Sequence, residues 1–135
     1  MTTLRDQWTT LYTTGRVRWM PGMLTDRGRI VRLQGPQFCE VYSADALACG
    51  LRINEPAASL VPDFTDPATI GCLLHQAREA WDSPRLQTSP MLQPAPLEWI
   101  CYPNACEDDG RRYIAATEPA AIIAAIAAAP PKVTE

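Results

Sequence analysis

The sequence predicts an α+β fold in which an antiparallel sheet of about four to five strands is covered by two or three helices. Three observations carry this expectation. Residues 66–81 hold an amphipathic pattern with a start and a stop signal. Short runs rich in aromatic and β-branched residues, 29–33, 37–42, 97–102 and 111–115, are separated by glycine, proline and Asp-Gly turns. An alanine- and isoleucine-rich run opens on Thr117-Glu118-Pro119 and closes on Pro130-Pro131.

Each element has a local reason. Leu4, Trp8 and Leu11 recur at helical spacing, with Thr2 or Thr3 placed to cap the start and Gly15 to close the end of a helix over 3–14. Met23-Leu24-Thr25, Asp26-Arg27-Gly28 and Arg29-Ile30-Val31-Arg32-Leu33 then read as strand, turn and strand. Alternation sets Ile30 with Arg32 on one face of the second arm and Arg29, Val31 and Leu33 on the other. The core is expected under Val31 and Leu33, with Arg32 turned to solvent. Gln37 to Tyr42 reads as a third strand. Ser43 to Gly50 fits one or two helical turns, Leu51-Arg52-Ile53 a short extended piece, and Asn54 to Pro62 a loop.

The long helix is the clearest element. Asp66 is placed to accept from free N–H groups of the first turn, Pro67 suits the first helical position, and Pro84 forbids continuation. Ile70, Leu73, Leu74, Ala77 and Trp81 form its apolar stripe. Gly71 costs about 1 kcal/mol relative to alanine in a helix interior, so a closely packed cover, naturally the sheet, is expected over it. Residues 83–96, with four prolines, read as an irregular surface loop or an extended excursion. The runs 97–102 and 111–115 flank Glu107-Asp108-Asp109-Gly110 as hairpin arms. Thr117 then caps a last helix whose stripe is Ile122, Ile123 and Ile126.

Composition bounds the function. A chain of 135 residues is expected to form one domain. Its longest apolar run, Ala120 to Ala129, is too short to span a bilayer, and its first residues lack the basic-then-apolar order of a secretory signal. No membrane association and a cytoplasmic location are therefore expected. The five cysteines are irregularly spaced and there is one histidine, which points to buried free thiols and to no metal or other cofactor.

Catalytic patterns are missing. No Gly-x-Ser-x-Gly elbow presents a nucleophile, and His75 belongs on a helix surface, with Cys72 one turn away in a spacing that ordinarily serves packing. The acidic run 107–109 lacks the alternating ligands of a calcium loop. No phosphate-cradling glycine pattern occurs either, so a non-enzymatic role is expected. An enzyme would need scattered groups such as Cys39, Asp45 and His75 to converge.

The charge is unevenly divided. Residues 16–32 carry five arginines against one aspartate, +4, so a chain of net charge −3 leaves −7 on the remainder. Arg16, Arg18, Arg27, Arg29 and Arg32, beside Trp19, form the candidate partner- or anion-binding set: planar guanidiniums clamp carboxylate or phosphate bidentately, and an indole stacks on a planar group. A solvated strand face and an arginine-rich coding bias explain the same residues without function. The acidic remainder argues against nucleic acid, because counterion release needs several phosphate contacts. A protein with an acidic patch, or a small anionic nucleotide, suits the division better. Exposed edge strands and four tryptophans leave room for a homodimer.

Two stretches, Asp63-Phe64-Thr65-Asp66-Pro67-Ala68-Thr69-Ile70-Gly71-Cys72-Leu73-Leu74 through Arg78-Glu79-Ala80-Trp81, and Thr117-Glu118-Pro119-Ala120-Ala121-Ile122-Ile123, resemble small proteins of tailed phages and prophages described as phage ABA-sandwich-like. The resemblance implies the order long helix, strand, strand, final helix. It also implies a phage or prophage accessory protein that binds host machinery, a defence system among the candidates, in the bacterial cytoplasm. A virion-associated structural component is the alternative within the same resemblance. The arginine-rich hairpin and the four-proline segment lie outside it.

Overall fold

The computed structural model describes residues 3–43, 51–91, 98–102 and 112–130. Its chain divides into two compact units, Arg18–Cys72 and the discontinuous pair Met1–Val17 with Leu73–Glu135. The architecture is α+β as expected, and the described strands form a four-stranded and a three-stranded antiparallel sheet. No described helix is long and apolar enough to cross a membrane.

The contiguous unit is a meander of β1 (Leu24–Thr25), β2 (Gly28–Gln34), β3 (Phe38–Ser43) and β4 (Leu51–Pro56) in the order β1-β2-β3-β4. Thr25 opposes Gly28 across a two-residue turn, and the Thr25 hydroxyl both accepts from the N–H groups of Arg27 and Gly28 and donates to the Gly28 carbonyl. Trp19, Met23, Ile30, Cys39, Val41 and Leu60 are buried here. A 3₁₀ turn, Ala57–Ser59, continues from β4, so the extended piece is longer than 51–53 and the remainder of 54–62 is not all loop.

The expected core face of β2 does not hold together: Ile30 stands opposite buried Val41 and Leu33 opposite buried Cys39 on one side of the sheet, while Arg32 stands opposite Glu40 on the other. Ile30 is 1% exposed, whereas Val31 is 37% and Leu33 46% exposed. A register shift explains it: Ile30 opposes Val41 and Arg32 opposes Glu40, leaving Val31 as an extra residue without a partner. Such a bulge breaks the period of two that the alternation argument assumes. Arg32 faces solvent as expected, with its side chain 67% exposed.

The discontinuous unit holds α1 (Leu4–Thr13), the larger part of α2 (Pro67–Ala80), β5 (Gln87–Met91), β6 (Glu98–Tyr102), β7 (Tyr113–Ala115) and α3 (Glu118–Ala128). α3 packs on all three strands, which run in the order β5-β6-β7, and α1 packs on α3. Thr3 and Asp6 form a reciprocal capping box on α1, and the Thr117 hydroxyl accepts from Ala120 N–H on α3. Ile122, Ile123 and Ile126 are buried as the stripe predicts, each such side chain contributing about 1.5–3 kcal/mol of transfer free energy. Residues 87–91 of the proline-rich segment form an edge strand, the extended alternative, with Pro90 opposite Trp99; proline is tolerated at an edge because its missing N–H would face away from the ladder. Residues 92–97, the turn at 107–110, and Cys49 and Cys106 lie outside the described residues.

α3 ends without a basic residue in its last turn. Its orphan carbonyls are met from elsewhere in the same unit. Arg16 donates to the carbonyls of Ile126, Ala127 and Ala129, and Trp81 Nε1–H donates to Ala125 at 2.7 Å. A guanidinium there also complements the negative end of the helix dipole.

α2 carries the other correction. Gly71 is exposed, and a Cβ added to it would meet nothing within 4 Å, so no cover packs over it. The buried line is Thr69, Leu73, Gln76 and Ala77, while Ile70, Leu74 and Trp81 are only half-buried. With space available and helical backbone, Gly71→Ala is expected to raise stability by about 0.5–1 kcal/mol, read as a higher urea midpoint with unchanged slope. A lower midpoint would show a contact over this position.

Candidate functional site

β3 alternates cleanly. Cys39 and Val41 are buried on the inner side, and Phe38, Glu40 and Tyr42 occupy the outer face. Opposite them on β2 stand Gln34, Arg32 and Arg29, and Asn54 opposes Glu40 from β4. Phe38 and Tyr42, each 44% exposed, are separated along one strand by about 13 Å, four residues at the rise of an extended chain. Between them Glu40 is almost wholly covered, because Arg32 Nε and Gln34 Nε2 both donate to its Oε2. On this outer face two aromatic rings flank a charge-paired carboxylate, and the guanidinium above it remains largely in water.

One end of this face is anchored to α2. Arg29 donates from Nη1 and Nη2 to the two carboxylate oxygens of Asp66, 3.1 Å each, and from Nη1 to the Gly22 carbonyl at 2.8 Å. Asp66 also caps α2 as the sequence indicates, accepting from the N–H and hydroxyl of Thr69 at 3.0 Å. The Thr69 hydroxyl in turn accepts from Leu24 N–H. Helix start, hairpin and preceding bend are thus joined through one carboxylate.

The Arg29 hydrogen bonds hold Asp66 below the usual carboxylate range, with the Thr69 donors adding to the shift, and the same pair raises Arg29. A depressed carboxylate contributes stability in full above its unfolded value, about 4, and loses it as pH falls through the folded value. The melting-temperature gap between wild type and Asp66→Asn, worth about 1 kcal/mol or less at neutral pH, should therefore close on acidification below about pH 4. A gap independent of pH would remove the ion pair from the stability of this unit.

The six residues singled out from sequence fall in both units and in different surroundings. Arg27, Arg29 and Arg32 share the β1–β2 hairpin, and Arg16 belongs to the other unit, where it caps α3. Arg29 and Arg32 each hold a carboxylate of their own unit, Arg27 lies 4.0 Å from Asp26 in an exposed pair, and Arg18 is exposed. Trp19 is 3% exposed and donates Nε1–H to the Ala57 carbonyl, so it is a core residue and not a stacking platform. Phe38 and Tyr42 are absent from the candidate set, although the period of two in Phe38-Cys39-Glu40-Val41-Tyr42 separates the aromatics from Cys39 and Val41.

The described nucleophile candidates are quiet. Burial pushes the Cys39 and Cys72 thiols up and raises Cys101 to about 12, so none is a thiolate at neutral pH. His75 is exposed and pairs with Glu79 one turn away at 2.9 Å. Asp45 and residues 107–109 lie outside the described residues, and among those described no three His, Cys, Asp or Glu side chains gather as a metal site. An open groove of 510 Å³ between α1 and α3, lined by Thr10, Leu11, Ile123 and Ala127 among others, has no titratable side chain. No family model, curated protein or solved structure matches the chain.

Proposed function

We propose that this chain is a phage or prophage accessory protein that works by non-catalytic binding of a host protein, a component of a defence system, and thereby inhibits it. The binding part of this reading rests on one observation, the outer face of β2–β4 with Phe38 and Tyr42 presented on either side of the Arg32–Glu40 pair. Aromatic side chains are enriched where interfaces concentrate their energy because they bury large area at low entropic cost, and arginine because its planar fork makes several directional hydrogen bonds. The phage part rests on the resemblance of 63–81 and 117–123 alone. Sequestration of an anionic nucleotide fits less well, since Trp19 is buried and Arg29 and Arg32 already hold carboxylates.

The test is affinity capture from bacterial lysate with wild type, Phe38→Asp, Tyr42→Asp and, as an exposed control on the other unit, Ile114→Asp. A stoichiometric partner retained by wild type and Ile114→Asp, and weakened at least tenfold by either aromatic substitution (about 1.4 kcal/mol), is the expected outcome. Equal capture by all four chains would remove the β2–β4 face from the reading. Failure to recover any partner, with a thermal shift on adding nucleotides, would favour the nucleotide alternative.

A further inference from the structure

We infer that the edge of β4 away from β3 pairs antiparallel with β4 of a second copy, centred on Ile53, so that two four-stranded sheets become one of eight strands. The two edges of the sheet are treated differently. At the β1 edge, Asp26 N–H donates to the Val61 carbonyl, Asp63 N–H to the Leu24 carbonyl and Leu24 N–H to the Thr69 hydroxyl, so the chain closes that side on itself. At the other edge, among the described residues, no strand pairs with β4 beyond β3. An edge of six extended residues without proline before its last position is a template for another strand.

The phase of the β3–β4 ladder says which groups that edge offers. Ala57 N–H donates to the Gln37 carbonyl, and the register runs on through Phe38↔Pro56, Glu40↔Asn54 and Tyr42↔Arg52. Hydrogen-bonded and non-hydrogen-bonded pairs alternate, so Ile53 and Glu55 bond to β3 while the backbone N–H and C=O of Arg52 and Asn54 point away from it. A two-fold axis perpendicular to the sheet brings together residues of the same face. Centred on Ile53, it sets Arg52 opposite Asn54 of the second copy and Asn54 opposite its Arg52. The four outward N–H groups of Arg52 and Asn54 then meet the four outward C=O groups of the same residues.

Side chains agree with that register. Ile53 lies on the inner face opposite buried Val41, yet is itself 41% exposed because nothing described continues the layer beyond it. On the axis it meets its own counterpart in a non-hydrogen-bonded pair, where side chains approach most closely. Centring on Asn54 instead would oppose Ile53 to Glu55 and leave the Arg52 carbonyl facing Pro56, which has no N–H to give. This inference is independent of the proposed function, which uses the outer face.

Sedimentation of the full chain across the micromolar range tests it. Wild type is expected to sediment at twice the chain mass. Ile53→Glu, which places two carboxylates on the axis, and Asn54→Pro, which removes an N–H the monomer does not use, are both expected to lose the dimer while far-UV circular dichroism is unchanged. Under mild oxidation Ile53→Cys should form an intermolecular disulfide at least tenfold faster than Glu55→Cys, with wild type as the background for the native thiols, because only position 53 faces itself. The crosslinking comparison holds even if one of the other variants does not fold. A wild-type monomer, a dimer that persists in both edge variants, or equal crosslinking at 53 and 55 would each overturn the inference.

Discussion

Gly28→Ala is expected to destabilise the contiguous unit by about 3 kcal/mol, a loss of roughly 10 °C or more in its melting temperature. Two costs add. Gly28 has φ +139°, outside the range an L side chain adopts readily, and a Cβ there would collide with the Tyr42 carbonyl oxygen and stand 2.9 Å from Val41 Cγ1. The oxygen is backbone in the central strand β3, so relief requires β2 and β3 to separate at the hairpin. Gly22→Ala and Gly35→Ala supply the comparison: φ is positive at both, but nothing lies within 4 Å of an added Cβ, so only the conformational cost of about 1 kcal/mol applies. If Gly28→Ala unfolds no more easily than those two, the close approach of β2 and β3 is not a constraint on this fold.

Trp19→Ala is expected to cost about 3–5 kcal/mol, the range for deleting a large aromatic from a core. Trp19→Phe retains most of the packing but leaves the Ala57 carbonyl without its indole donor, a cost of about 1–2 kcal/mol. Urea midpoints of the two variants separate volume from hydrogen bond. The contrast with an exposed stacking role is direct: a platform residue could be lost with little change in stability and a large change in ligand affinity. Retention of the wild-type midpoint by Trp19→Ala would mean that the indole is not in the core.

What sequence could and could not show follows from the range of each interaction. Thr3, Asp66 and Thr117 were legible as caps because a cap is decided within three or four residues, and the stripe of α3 because a period of 3.6 is local. β6 and β7 were legible as arms flanking an Asp-Gly turn. The face of β2 was not, since the bulge at Val31 is defined only by the register of β3. The grouping of strands into two sheets depends on pairing between segments, which no single run encodes. Arg16 was read as a binding residue because its acceptors lie more than a hundred positions away, and Arg29 because its partner Asp66 is 37 positions on. Arginine next to tryptophan is the same local signal whether the side chains face a ligand or the chain's own helix ends. The outer aromatics of β3 were legible in principle, as a period of two already present in five consecutive residues.

The route of the chain through its two units bears on synthesis at the ribosome. Residues 18–72 are contiguous and complete their meander from neighbouring hairpins, with low separation between partners. The other unit cannot close until α3 has emerged, because α1 packs on α3 and Arg16 finds its acceptors there. Translation at about 5–20 residues per second therefore leaves the opening helix waiting for several seconds with its apolar side unprotected. A chaperone trapping stalled nascent chains would meet a finished meander preceded by an adhesive helix.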